Sequence, residues 1–141
     1  MSGRVLLVEP EEALRTNIVK ALRARGIGVD AYERSADVMR ALERGGVWTR
    51  ALISLSLDEM DGASLASRAL AYLPEMEITF VTGGVDADVL CRAHALGVVI
   101  WKPLGLGPLC ERLTTVTRRS GVMRKAGPPV SEETRATNTR R

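Results

Sequence analysis

Four polar side chains each close a short apolar run. Glu9 follows Val5-Leu6-Leu7-Val8, Ser54 follows Ala51-Leu52-Ile53, Thr82 follows Ile78-Thr79-Phe80-Val81, and Lys102 follows Val98-Val99-Ile100-Trp101. A carboxylate, two hydroxyls and an ammonium brought to one place can hold an anion, or pass a proton between Glu9 and Lys102, although no substrate is implied. Nucleophilic catalysis is poorly served: the one histidine, His94, is expected on a helix away from these positions. Glu9-Pro10-Glu11 stands where a glycine-rich phosphate loop would have to follow the first run,. An enzyme is the least favoured class.

The elements that position these residues follow from apolar periodicity, which switches repeatedly between strand and helix. Val5 to Val8 reads as a central strand, apolar on both faces,. Glu11 to Arg25 reads as a helix with Leu14, Ile18 and Leu22 on one face and Gly26 as its stop,. Ile27, Val29 and Ala31 alternate as in an edge strand. Ser35 is placed to cap a helix carrying Val38, Met39 and Leu42, ended by Gly45-Gly46,. Ala51 to Ser54 is the third strand. Gly62 to Leu73 is a helix stopped by Pro74, Ile78 to Val81 the fourth strand, Asp86 to Leu96 a helix, and Val98 to Trp101 the fifth strand,. Pro108 opens a last helix with Leu109, Leu113 and Val116 inward,.

Five strand–helix alternations predict an α/β fold: a five-stranded parallel sheet of order 2-1-3-4-5, flavodoxin-like, with five helices in three layers. Ligand chemistry in such a sheet lies outside the carboxyl ends of the strands. Glu9, Ser54, Thr82 and Lys102 all fall at that end, so the topology predicts that they converge.

Thr82 and Lys102-Pro103, each after a buried strand, together with Met60-Asp61-Gly62 after an earlier one, resemble the receiver domain of bacterial two-component response regulators. The resemblance covers about residues 3–117. It implies a phospho-acceptor aspartate eight places before the Met-Asp-Gly glycine, an acidic pair after the first strand that holds Mg²⁺, a switching hydroxyl at Thr82, and a phosphate-binding lysine at Lys102 with a cis peptide to Pro103.

The acceptor position is Ser54, which cannot form an acyl phosphate. The acidic pair falls on Glu9 and Pro10, and Pro10 has no ligand atom, so Glu9 is at most a weak metal candidate and neither Mg²⁺ nor another cofactor is expected. Glu11 and Glu12 suit the positive end of the first helix. Asp58, Glu59 and Asp61 are expected in solvated loop. Lys102, without a phosphoryl group to meet, is expected to pair with Glu9, and Ser54 to hydrogen-bond Lys102 or Thr82 or to leave room for water. The aromatic switch residue three before the lysine is here Val99.

The resemblance thus implies an atypical receiver, or pseudo-receiver, acting by phosphorylation-independent protein–protein interaction in signal transduction or transcriptional regulation. The expected interaction face spans the fourth helix, fifth strand and fifth helix: Val89, Leu90, Arg92, Ala93, Val98, Leu106, Glu111 and Arg112. Its partner would be a histidine kinase, an output domain, a transcriptional regulator or a second copy of the chain.

With 141 residues and 45% hydrophobic content, one domain with one core is expected, over residues 1–119,. No stretch approaches the roughly 20 apolar residues needed to span a bilayer, and no signal-peptide pattern precedes the first strand, so a cytoplasmic location is expected. Residues 118–141 carry seven Lys/Arg and two Asp/Glu, whereas residues 1–117 carry thirteen and fifteen, so the basic character belongs to the tail. Residues 120–141 read as a disordered tail or linker. Two alternatives follow: the chain is the N-terminal regulatory part of a DNA-binding response regulator, or the tail itself binds nucleic acid. A weakly active receiver using Asp58 or Glu59 as acceptor has the wrong spacing. Cys91 and Cys110 lack metal-ligand spacing and read as small, reduced helical residues,.

Overall fold

The computed structural model describes residues 3–114. The expected inward Val116, the domain edge at 119 and the basic tail lie outside them. Ten elements alternate along the chain: β1 Val5–Val8, α1 Glu12–Ala24, β2 Val29–Tyr32, α2 Ser35–Glu43, β3 Arg50–Ser54, α3 Gly62–Tyr72, β4 Glu77–Thr82, α4 Ala87–Leu96, β5 Val98–Trp101 and α5 Leu106–Thr114. The strands form one parallel sheet in the order β2-β1-β3-β4-β5.

Side chains alternate across the pleat, so each central strand feeds two cores. Leu6, Val8, Ala51, Ile53, Ile78 and Phe80 pack with α2, α3 and α4 through Val38, Leu42, Leu65, Ala66, Ala69 and Ala93. Val5, Leu7, Leu52 and Val81 point the other way, onto Ile18 and Leu22 of α1 and Leu109, Cys110 and Leu113 of α5. Each fully buried Leu, Ile or Phe contributes roughly 1.5–3 kcal/mol, which is why both-face-apolar strands end up in the centre. Gly26 and Gly45, at φ +76° and +92°, end α1 and α2 in a conformation that only glycine takes without strain,.

Two helix starts differ from expectation. Ser35 does not cap α2. It is the first helical residue, its hydroxyl is buried without a hydrogen-bond partner, and the preceding Arg34 makes no side-chain cap. One residue inside the helix, its side chain faces the core rather than the free N–H groups. α5 begins at Leu106, two residues before Pro108. A proline is tolerated there because the first turn's N–H groups have no intrahelical acceptor; the first bond closes from Leu109 N–H to Gly105 O at 3.1 Å.

Candidate functional site

Parallel pairing brings the strand ends level. Val8 pairs with Ile53, Ser54 with Val81, and Thr82 with Trp101, so Glu9, Ser54, Thr82 and Lys102 stand at one edge of the sheet. The first three are buried, at 3%, 4% and 2% exposure, and polar groups this deep need partners.

Glu9 Oε2 accepts the Glu11 N–H at 2.9 Å, and Glu9 Oε1 faces Lys102 Nζ at 3.8 Å. Lys102 Nζ also lies 4.0 Å from Glu11 Oε1. The ammonium therefore sits between two carboxylates at Coulombic rather than hydrogen-bonding range. Its backbone is fixed by Lys102 N–H to Thr82 O at 2.8 Å, and the peptide to Pro103 is cis. Arg15 of α1 was not singled out from the sequence. It reaches back to donate to Glu9 O at 2.9 Å and Pro10 O at 3.3 Å, pinning the loop after β1.

Ser54 hydrogen-bonds neither Lys102 nor Thr82. Its Oγ accepts the Ser56 N–H at 3.3 Å and donates to Ser56 O at 3.4 Å. A short hydroxyl side chain two residues from a free N–H closes a local turn before it reaches across the sheet. Thr82 does likewise: its Oγ1 accepts the Gly84 N–H at 2.9 Å. The two hydroxyls thus stabilise their own loops.

For a divalent cation the donor set is poor. One Glu9 oxygen is engaged by a backbone N–H and the other faces an ammonium, Pro10 offers no side-chain donor, and Ser54 supplies one neutral oxygen already used in its turn,. Among the described residues no group of three or more His, Cys, Asp or Glu is placed to hold a metal.

Downstream of Ser54, Asp58 and Glu59 are exposed, and Glu59 approaches Arg34 at 3.9 Å. Asp61 is not solvated loop. It caps α3, accepting Ser64 N–H at 2.8 Å and Ser64 Oγ at 3.1 Å, and pairs with Arg92 of α4 at 3.0 Å. Burial pushes its carboxyl up, but the Arg92 and Ser64 bonds together outweigh burial and hold it below the ordinary carboxylate value,. Asp86 caps α4 by accepting Val89 N–H at 3.0 Å. An aspartate directly before each helical pattern was the available signal for both caps.

One residue of the expected interaction face is corrected, and Val98, Glu111 and Arg112 of that face are exposed. Ala93 is 0% exposed and belongs to the core, because α4 turns that residue onto the sheet. Arg92 points to α3. Val89, Leu90 and Leu106 are half-buried against the two cores. Arg112 is exposed and donates through Nε to Thr79 Oγ1 at 3.3 Å. The apolar residues that do stand out here are Val98, 42% exposed, and Trp101, 50% exposed, on edge strand β5. His94 and Cys91 lie exposed on α4, and Cys110 is buried.

No protein-family model matches the chain. It is 34% identical over 80 residues to the response regulator receiver protein CpdR of Brucella abortus (strain 2308), an alignment covering 57% of this chain and 66% of that protein. It is 32% identical over 92 residues to the sensor kinase CckA of the same strain, covering 64% of this chain but 10% of the kinase. The chain therefore spans just under two thirds of the first relative and a small part of the second. Among solved structures, a CheY-like receiver domain protein from Methanospirillum hungatei JF-1 superposes with a TM-score of 0.74 at 23% identity, covering 80% of this chain and 91% of that one. The receiver domain of the hybrid histidine kinase CckA superposes with a TM-score of 0.66 at 27% identity, covering 79% and 95%. Among the described residues no helix is long and apolar enough to cross a membrane. Sheet order, strand-end geometry and relatives agree: the described chain is a response-regulator receiver domain of the CheY-like type.

Proposed function

We propose that this chain is a pseudo-receiver, working in two-component signalling by protein–protein interaction and without aspartyl phosphate. The observation that carries the reading is Ser54. It ends β3, 4% exposed, with a hydroxyl turned into its own loop where an acceptor carboxylate would be needed. A hydroxyl there forms no acyl phosphate, and Glu9 with Pro10 and Ser54 offers no adequate Mg²⁺ cage. The chain then acts in the cytoplasm as a non-catalytic partner, with neither metal nor cofactor. Its working surface is the α4–β5–α5 face, centred on exposed Val98 and Trp101. The names of its relatives, a response regulator and a sensor kinase, favour a histidine kinase, an output domain or a regulator as the partner, with a second copy of the chain as the other candidate.

The test is intact-mass analysis after incubation with acetyl phosphate and Mg²⁺, with Ser54→Asp treated in parallel. The wild type should remain unmodified. A phosphoryl adduct on it, mapped to Asp58 or Glu59, sinks the proposal.

A further inference from the structure

Arg92 joins two parts of the molecule that the sheet leaves separate. Its Nη2 lies 3.0 Å from Asp61 Oδ2, its Nη1 is 3.2 Å from Ser64 Oγ and 3.5 Å from Asp61 Oδ1, and its Nε bonds Asp88 Oδ2 at 3.1 Å. The planar guanidinium thus grips the first turn of α3 with one edge and its own helix with the other.

Asp61 in turn ends the loop that starts at Ser54. That loop is pinched closed: Gly62 N–H donates to Leu55 O at 3.0 Å, and a Cβ at Gly62 would meet Leu55 Cα at 2.9 Å. Little slack separates Ser54 from Asp61, so a displacement at the end of β3 is carried to the α3 start and, through Arg92, to α4.

The other path from the strand ends to α4 runs through Thr82, Gly83, Gly84 and the Asp86 cap. Gly83 and Gly84 are exposed, Gly84 sits at φ +137° with nothing near its absent Cβ, and Gly83 has only Lys102 Cδ at 3.8 Å. Val85 beyond them packs on the core and Thr82 Oγ1 holds the Gly84 N–H, but two exposed glycines without side chains make the joint between them softer than a charged bridge.

We propose that the Asp61–Arg92 bridge is the rigid link by which the Ser54 loop and α4 move together, making Arg92 a positioning residue for the α4 surface. The functional meaning rests on the reading of α4–β5–α5 as the working face. The mechanical claim is tested without partner or phosphodonor, so the two can fail separately.

Cys91 is exposed on α4 and Cys110 is buried, so a trifluoromethyl thiol tag on Cys91 of the full chain gives one ¹⁹F reporter. Ser54→Asp supplies the perturbation, a charge at the root of the loop. The ¹⁹F shift it causes should be about threefold smaller or less in an Arg92→Gln background. Arg92→Lys, a point charge without the fork, should restore less than about half. Asp88→Asn removes only the outer contact and should leave the shift intact, which separates coupling from general loss of stability. An undiminished shift in Arg92→Gln would assign transmission to the Thr82 loop or to the direct packing of α3 beside α4 and overturn the proposal. So would the absence of any shift in the Arg92 chain.

Discussion

Gly62 Cα lies so close to the end of β3 that a methyl group on it would fall well inside contact distance of the Ser54 carbonyl oxygen. The clash is with backbone, which has no rotamer to give. Gly62→Ala should therefore destabilise the domain by about 2–3 kcal/mol, in the range of overpacking at a tight site. Gly107 of α5 is the control: nothing lies within 4 Å of its would-be Cβ. Gly107→Ala should stay within about 0.5 kcal/mol of wild type, because the gain in helix propensity is offset by crowding of the new side chain against the ring of Pro108. Urea unfolding of the two variants measures both.

The two capping aspartates should separate in energy. Asp86 accepts one backbone N–H, so Asp86→Ala should cost about 1 kcal/mol. Asp61 caps α3 and also holds Arg92, so Asp61→Ala should cost about 2 kcal/mol, a cap plus a partly buried ion pair. Equal values from chemical denaturation would mean that the Arg92 contact contributes no stability.

Acid should erase part of this stability in a defined window. The Arg4 hydrogen bonds hold the Asp30 carboxyl below its ordinary value against the effect of burial, helped by the Trp48 indole N–H at 2.9 Å. Asp61 is lowered as well. A depressed folded-state pKa gives stability that is fully present above the unfolded value, about 3.9, and is lost as pH falls through the lower folded value. Asp30→Asn and Asp61→Asn should each destabilise at pH 7, with the deficit relative to wild type shrinking below about pH 4. Unfolding free energies across that range show whether the deficit narrows.

Lys102 and Glu9 should couple weakly. Their atoms stand 3.8 Å apart and Lys102 keeps 30% of its side chain exposed, so solvent screens much of the attraction. A double-mutant cycle with Glu9→Gln and Lys102→Met should return an interaction of about 1 kcal/mol, below the 3–5 kcal/mol penalty of breaking a fully buried pair.

The β5 edge should matter for association and not for folding. Val98 and Trp101 are exposed apolar side chains, so Trp101→Ser should cost only about 1 kcal/mol, from strand propensity and the covered half of the indole, and leave the domain folded. If this edge is the working surface, the same change should abolish concentration-dependent sedimentation, or retention of the partner kinase's receiver-binding fragment. Unchanged association in both measurements would move the surface elsewhere.

Much of the architecture is local information, and the chain's own pattern carries it. Val5-Leu6-Leu7-Val8 is apolar at every position, which only a strand covered on both faces tolerates, and Leu14, Ile18 and Leu22 recur at helical spacing,. Such runs, punctuated by Gly26, Gly45 and Pro74, specify ten elements. Alternation of strand and helix makes the strands parallel, so that Glu9, Ser54, Thr82 and Lys102, each at a carboxyl end, had to share one edge. Ser54 itself, a hydroxyl at the end of an apolar run, is legible without coordinates.

What a side chain touches across that edge is a different matter, because it depends on fractions of an ångström in loop path and helix placement. Ser54 was within reach of Lys102 or Thr82 by topology, yet a nearer backbone N–H at Ser56 took its oxygen. Ala93 stands at helical spacing with Val89 and Leu96 and faces inward by that pattern, so its burial belongs to the legible part and its place on the outer face does not,. Asp61 and Arg92 are 31 residues apart, and no periodicity links them; only the packing of α3 beside α4 brings carboxylate and guanidinium together. Strand and helix identity follows from the free energy of burying each segment's apolar face, which the chain encodes position by position. Polar pairing is decided last, by whichever donors the packed elements leave closest.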